Sequence, residues 1–213
     1  MNEQLIAMQR LSMMGDWLEL DIFNHDKLME EIAPFKDDWK PYNTRKPNNR
    51  WGLSVTSLDG GLSGIPDLDS LSEYNKKYNT NITNHDIDKP TPVYEASPTL
   101  QSILEPFKPW LGRCHFLKLD EGGFFPEHYD INKTTYDYDE IRLIGFVHNC
   151  NKHFLKFVYE DTIPQYDDSN LFYFNANKRH TVFSTVDDCI MLVVCLKFDT
   201  DCFKALLDQY ICS

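Results

Sequence analysis

The stretch Gly122-Gly123-Phe124-Phe125-Pro126-Glu127-His128-Tyr129-Asp130 decides how this chain folds and what it can hold, once it is joined to His180 in Asn177-Lys178-Arg179-His180-Thr181-Val182. Side chains two apart on a β-strand point to the same face. His128 and Asp130 can therefore chelate one ion from a single strand while Tyr129 points away, and His180 can close on that ion from a neighbouring strand. Two imidazoles and one carboxylate on three corners of an octahedron leave the opposite face open to exchangeable ligands, an arrangement suited to divalent iron. His115, His148 and His153 are the rival ligands, and each reads more simply as a core or strand-end histidine.

Around this stretch the pattern is that of a mainly β chain. Residues 113–119 alternate as a strand, Asp120-Glu121-Gly122-Gly123 turns, and 127–131 carries the metal pair. Short strands are expected over 142–149, 153–160, 171–175, 181–184 and 189–198, separated by polar turns. Such spacing argues for a sandwich or a barrel.

The flanking residues resemble the 2-oxoglutarate-dependent Fe(II) oxygenases, in particular the aspartyl/asparaginyl β-hydroxylase-like branch that includes bacterial free-proline cis-hydroxylases. The likeness is carried by Arg113-Cys114-His115-Phe116-Leu117-Lys118-Leu119, by the Gly-Gly-x-x-Pro-x-His-x-Asp run ending at Asp130, and by the strand 141–149. It continues through Phe172-Tyr173-Phe174-Asn175-Ala176-Asn177-Lys178-Arg179-His180-Thr181-Val182 and the apolar strand 189–198. It spans about residues 110 to 200. It implies a double-stranded β-helix (jelly-roll or cupin-like) barrel with helices outside. It also implies Fe(II) on His128, Asp130 and His180, with 2-oxoglutarate as cosubstrate and O2 as oxidant. The activity implied is hydroxylation of an aliphatic C–H in a small carboxylate-bearing substrate such as a free amino acid. A peptide or protein side chain as substrate, or a cupin-like metal-binding protein without turnover, are the alternatives.

Many members of this group carry an arginine ten residues after the distal histidine, paired with the far carboxylate of 2-oxoglutarate; here that position is Ile190. Arg142, twelve residues after Asp130 on the next expected strand, is the replacement, because a planar guanidinium can bind a carboxylate with two parallel hydrogen bonds. Lys118, Lys156 and Arg179 are the other cations near the triad in sequence, and Arg179, beside His180, should face away from it. Arg113 is the candidate for a substrate carboxylate. Tyr136, with Tyr138 in the polar loop 132–140, is the candidate to hydrogen-bond the cosubstrate or pack on substrate.

The 213 residues, 42 % hydrophobic and 14 % aromatic, suit one domain with a substantial core. Residues 1–110 form a helical and strand part, 111–200 the metal-binding core, and 201–213 a closing helix. A helix is expected over Glu3–Met14, a strand over 17–23, and a helix capped by Asn24 or His25 to about Phe35. A loop follows over 36–50, then a strand over 51–58. The polar stretch 62–92, with few apolar anchors, reads as a long loop or lid. Ser97 caps a helix that has Pro98 at its first position and Leu100, Ile103, Leu104 and Phe107 as its buried stripe.

A formal charge of −12 argues against a nucleic-acid partner. The six cysteines form no C-x-x-C pair, so buried free thiols are expected. The lack of a long apolar run and of a basic leader makes no membrane and a cytoplasmic location the default expectation. Oligomeric state is not legible.

Overall fold

The structure, a computed structural model, describes residues 3–43, 49–130 and 139–210. Its helices are α1 (Glu3–Met14), α2 (His25–Ile32), α3 (Leu71–Tyr78), α4 (Pro92–Glu95), α5 (Pro98–Leu104) and α6 (Thr200–Gln209). Its strands are β1 (Trp17–Ile22), β2 (Lys40–Pro41), β3 (Arg50–Ser54), β4 (Thr56–Ser57), β5 (Lys89–Pro90) and β6 (Leu111–Leu119), then β7 (Phe124–His128), β8 (Glu140–His148), β9 (Leu155–Tyr159), β10 (Asn170–Phe174), β11 (His180–Ser184) and β12 (Cys189–Lys197). One seven-stranded sheet runs β1-β10-β8-β12-β6-β3-β2, and a three-stranded sheet runs β7-β11-β9. Every neighbouring pair in them is antiparallel. The fold is mainly β, with antiparallel sheets and flanking helices.

The large sheet is covered on both faces, so its strands read as nearly continuous apolar runs that nevertheless divide by alternation. One face carries Phe116 from β6, Leu143 from β8, Leu171 from β10, and Leu192 and Val194 from β12. These pack against α1, α2, α5 and α6 through Leu11, Leu28, Leu104 and Phe203. The other face carries Leu117, Ile144, Phe172, Phe174 and Met191, which meet Leu155, Phe157, Tyr159 and Val182 of the small sheet. Trp17 sits in this inner layer beside Phe172, with ring centroids 4.9 Å apart.

The N-terminal part is continuous with this architecture, since β1 pairs with β10 and β3 with β6. Asn24 is the cap of α2, its side chain accepting the Lys27 backbone N–H at 3.0 Å. Ser97 precedes α5 as expected but makes no side-chain cap bond; its hydroxyl is buried without a hydrogen-bond partner.

The segment 62–92 corrects the expectation of an unanchored loop. It contains α3, a 3-10 turn at Asn84–Asp86 with a Thr83 capping box, and β5. Leu68 and Ile87 are buried. Leu68 lies against β3 so closely that a Cβ on Gly52 would stand 2.6 Å from its Cδ2, which is why that strand position has no side chain. Ser54 donates to the Asp67 carboxylate, and Arg113 donates Nε–H to the Asp67 carbonyl. The signal was missed because these anchors are single residues scattered through polar sequence, without helical or strand periodicity.

Candidate metal centre

β7 ends at His128, three residues short of the end of the strand expected over 127–131, and Asp130 follows just beyond it. The backbone still holds Asp130 in place, because its N–H donates to the Ala176 carbonyl at 3.0 Å. β11 starts at His180, and the register sets His180 directly opposite His128. The two imidazole centroids are 4.2 Å apart. Tyr129 points to solvent, 42 % exposed.

One ligand atom from each of His128, Asp130 and His180 lies within 4.8 Å of the others; among the described residues this is the group of three potential metal donors that the fold assembles. His128 Nε2 is 3.2 Å and His180 Nε2 3.7 Å from Asp130 Oδ1. Donors at neighbouring corners of an octahedron, with bonds of about 2.1 Å, stand about 3 Å apart, so the spacing fits one ion.

The other ring nitrogens decide which protons the site carries. His128 Nδ1 is 2.7 Å from the Pro126 carbonyl, and His180 Nδ1 is 2.9 Å from the Lys178 carbonyl. A carbonyl can only accept, so each Nδ1 is the N–H and each neutral ring turns its Nε2 lone pair inward. Two lone pairs and a carboxylate then converge on one point, an arrangement that needs a cation. Hydrogen-bonding the remote nitrogen of a ligating histidine to a fixed acceptor is the usual means of setting its tautomer and angle.

The titration behaviour shows the same need. Burial opposes charge on His128, yet the hydrogen bond and charge of Asp130 outweigh it and raise its pKa above the ordinary histidine value. Burial dominates at His180 and lowers its pKa. Burial would raise Asp130, but His128, Arg142 and His180 together hold it well below the usual carboxylate range.

Beside the triad, between the two sheets, lies a cavity of about 130 Å³ lined mainly by apolar side chains such as Leu117, Ile144, Phe157, Met191 and Val193. His115 and Tyr42 supply polar groups to its wall. Tyr42 directly follows β2, within the stretch 36–50 that reads as a polar loop and in fact supplies an edge strand; its ring stacks on His115 at 5.4 Å and meets Phe125 edge-on at 5.5 Å. Arg50, 5 % exposed, places its guanidinium 4.1 Å over the Phe125 ring. Tyr42 and Arg50 both went unnoticed in the sequence, since nothing local marks them.

The expected cations fall into place one by one. Arg142 does reach the triad, but its Nε lies 3.4 Å from Asp130 Oδ2 and its Nη1 is paired with Glu140. It does not line the cavity; its guanidinium holds the Asp130 carboxylate. Arg113 shares the His115 face of β6, yet its Nε and Nη2 donate to the Asp67 and Asp69 carbonyls, and Nη2 has a long 3.5 Å contact with the Tyr42 hydroxyl. Lys118 faces the opposite side, 3.1 Å from Asp188 and over Trp39. Lys156 donates to the Lys152 carbonyl, and Arg179 pairs with Glu127 and Asp161. His148 lines a groove on the helix side with Trp39 and Ile190, and His153 is exposed. Tyr136 and Tyr138 lie outside the described residues.

Ile190 has a structural explanation. Its side chain belongs to the helix-facing core, and the pairing of β12 with β8 shifts register between Ile190 and Met191. A residue at 190 therefore faces away from the triad; the inward neighbour is Met191.

The five described cysteines are free and buried. Among the described residues no helix is long and apolar enough to cross a membrane.

No family profile matches the sequence, and no curated protein matches it. Solved structures do resemble the fold. A 2OG-Fe(II) oxygenase family oxidoreductase from Burkholderia pseudomallei superposes with a TM-score of 0.52 at 10 % identity, covering 91 % of this chain and 89 % of its own. A prolyl-4-hydroxylase from Pseudomonas putida gives 0.49 at 12 % identity, covering 92 % and 99 %. A prolyl hydroxylase from Trichoplax adhaerens, bound to a hypoxia inducible factor peptide fragment, gives 0.49 at 10 % identity, covering 94 % of each chain. At these identities the likeness speaks to the fold alone, the mainly β fold shared with the Burkholderia protein.

Proposed function

We propose that this protein is a 2-oxoglutarate- and Fe(II)-dependent dioxygenase that hydroxylates an aliphatic C–H of a small carboxylate-bearing substrate such as a free amino acid. The observation that carries the proposal is the convergence of His128 Nε2, His180 Nε2 and Asp130 Oδ1, with both Nδ1 atoms fixed on backbone carbonyls. Its two sheets are the halves of a double-stranded β-helix, with the cavity as its interior. Iron held there would supply the activation of O2 for a reaction in which one oxygen atom ends in succinate, formed with CO2 from 2-oxoglutarate, and the other in the substrate hydroxyl.

The chain's own residues supply the rest. His128, Asp130 and His180 would hold the ion; Arg142 holds the second oxygen of Asp130; and Leu117, Ile144, Phe157 and Met191 exclude bulk water beside it. A second function, a metal-dependent binding protein without 2-oxoglutarate turnover, is favoured by one observation: among the described residues, neither lysine nor arginine lines the cavity.

Anaerobic addition of Fe(II) and then 2-oxoglutarate separates the two. The dioxygenase develops a weak visible charge-transfer band and, with O2, forms succinate above background when the right member of an amino-acid and peptide panel is present. Iron binding with no 2-oxoglutarate band sinks the dioxygenase; a response to peptides alone moves the substrate to a protein or peptide side chain.

A further inference from the structure

A second acidic group on a ligand held at the triad needs a partner inside the cavity, and the wall offers no direct cation among the described residues. It does offer His115. This imidazole is 4 % exposed, lines the cavity, and has no hydrogen-bond partner at its buried Nδ1. An enclosed N–H without an acceptor is the rarer and costlier arrangement, so the proton belongs on Nε2. Burial, with the nearby charges of Arg113 and Arg142, also keeps the ring neutral by pushing its pKa well below the ordinary histidine value. The remaining nitrogen is therefore a donor whose outlet is the cavity.

Tyr42 stands next to it. Its ring stacks on His115, and its hydroxyl oxygen faces Arg113 Nη2 at 3.5 Å, so the hydroxyl proton is turned to some other acceptor. Arg113 itself is fixed by the Asp67 and Asp69 carbonyls. Two neutral donors thus share one wall, with a positive charge one layer behind them.

We propose that His115 and Tyr42 form the subsite for the second carboxylate of the cavity's ligand, which, resting on the function proposed above, is the distal carboxylate of 2-oxoglutarate. Hydrogen bonds from neutral donors replace the direct ion pair, and the guanidinium of Arg113 acts through the Tyr42 hydroxyl. Position 190 then needs no arginine, since the acceptor end of the ligand is met from β6 and from Tyr42 just after β2.

The test compares 2-oxoglutarate with 2-oxopentanoate, which has a methyl group in place of the distal carboxylate. Both are titrated anaerobically into the Fe(II)-loaded full chain, followed by the visible band and by calorimetry. In the wild type 2-oxoglutarate binds the tighter. His115→Ala and Tyr42→Phe each weaken it about 10- to 100-fold, the loss of a hydrogen bond to a charged group, while iron and 2-oxopentanoate affinities stay within about twofold. His115→Gln, which restores a donor, recovers most of the loss and covers the case in which His115→Ala fails to fold. If His115→Ala, His115→Gln and Tyr42→Phe all keep the full preference for 2-oxoglutarate, the subsite is elsewhere and the proposed function stands. Equal binding of both oxoacids by the wild type overturns the subsite in the same way. Iron binding with neither oxoacid bound overturns the dioxygenase and the subsite together.

Discussion

The two faces of the seven-stranded sheet are built from the same strands and do different work. On the helix side, β6, β8 and β12 present Phe116, Leu143, Leu192 and Val194 to a dry core. On the other side the same strands present Arg113, His115 and Arg142 near one end and Leu117, Phe146 and Met191 further along. Parity along the strand, more than residue type in a window, therefore separates stability from chemistry. A change of one step in register would exchange the two sets.

The sharpest way to break this comparison is to remove a ligand from the inner face. His128→Ala, Asp130→Ala and His180→Ala should each abolish stoichiometric Fe(II) binding in equilibrium dialysis and leave the thermal unfolding transition in place. Unchanged iron retention in any one of them removes that residue from the site.

An outer-face change should do the reverse. Ile190→Arg buries a charge among helix-facing side chains, where an uncompensated charge costs roughly 3–5 kcal/mol. The expected result is a large fall in the denaturant midpoint with no gain in 2-oxoglutarate affinity. A stable Ile190→Arg variant that binds 2-oxoglutarate more tightly would show that position 190 can face the triad after all.

Arg142→Ala should lie between these extremes. Its guanidinium steadies a metal ligand, and removing such an outer partner typically costs 10- to 100-fold in metal affinity. Isothermal titration with Fe(II) or Co(II) reads this directly. Full iron affinity combined with a selective loss of 2-oxoglutarate binding would restore Arg142 to the role of cosubstrate cation.

The smallest effect is in pH. His128 must lose its proton to ligate, and Asp130 raises its pKa in the metal-free fold. Iron affinity should thus fall by about tenfold per unit as the pH drops below that raised value, one proton being displaced per ion bound. The metal-free fold shows the opposite sign. The His128–Asp130 pair stabilises it fully below the ordinary histidine pKa, and that contribution is lost as the pH rises through the raised one. Chemical denaturation with and without metal across this range should give slopes of opposite sign.

How much of this was legible depended on whether the signal was local. The grouping of His128, Asp130 and His180 was legible because two of the donors fall within three residues and the third begins a strand with a matching context. The Asn24 cap was local too, and so was the closing helix α6, which buries Phe203 and Leu206. Tyr42, Arg50 and His115 were not, since each earns its place only when β3, β6 and the 62–92 segment come together. Ile190 was misleading because an offset counted from His180 does not say which face a residue on another strand takes; on β12, Ile190 alternates with Met191 and falls on the helix side.

Both triad imidazoles are held by main-chain oxygens, of Pro126 and Lys178, each two residues before its histidine. The identity of the side chains at 126 and 178 is then nearly irrelevant to ligand orientation, provided the local backbone path persists. A site-by-site alanine survey would pass over both positions, although the groups that aim the ligands belong to them. Only a perturbation of the chain itself, such as a deletion or an inserted residue between carbonyl and histidine, would expose that dependence. Divergence can therefore rewrite the side chains flanking this centre while leaving its ligand geometry unchanged.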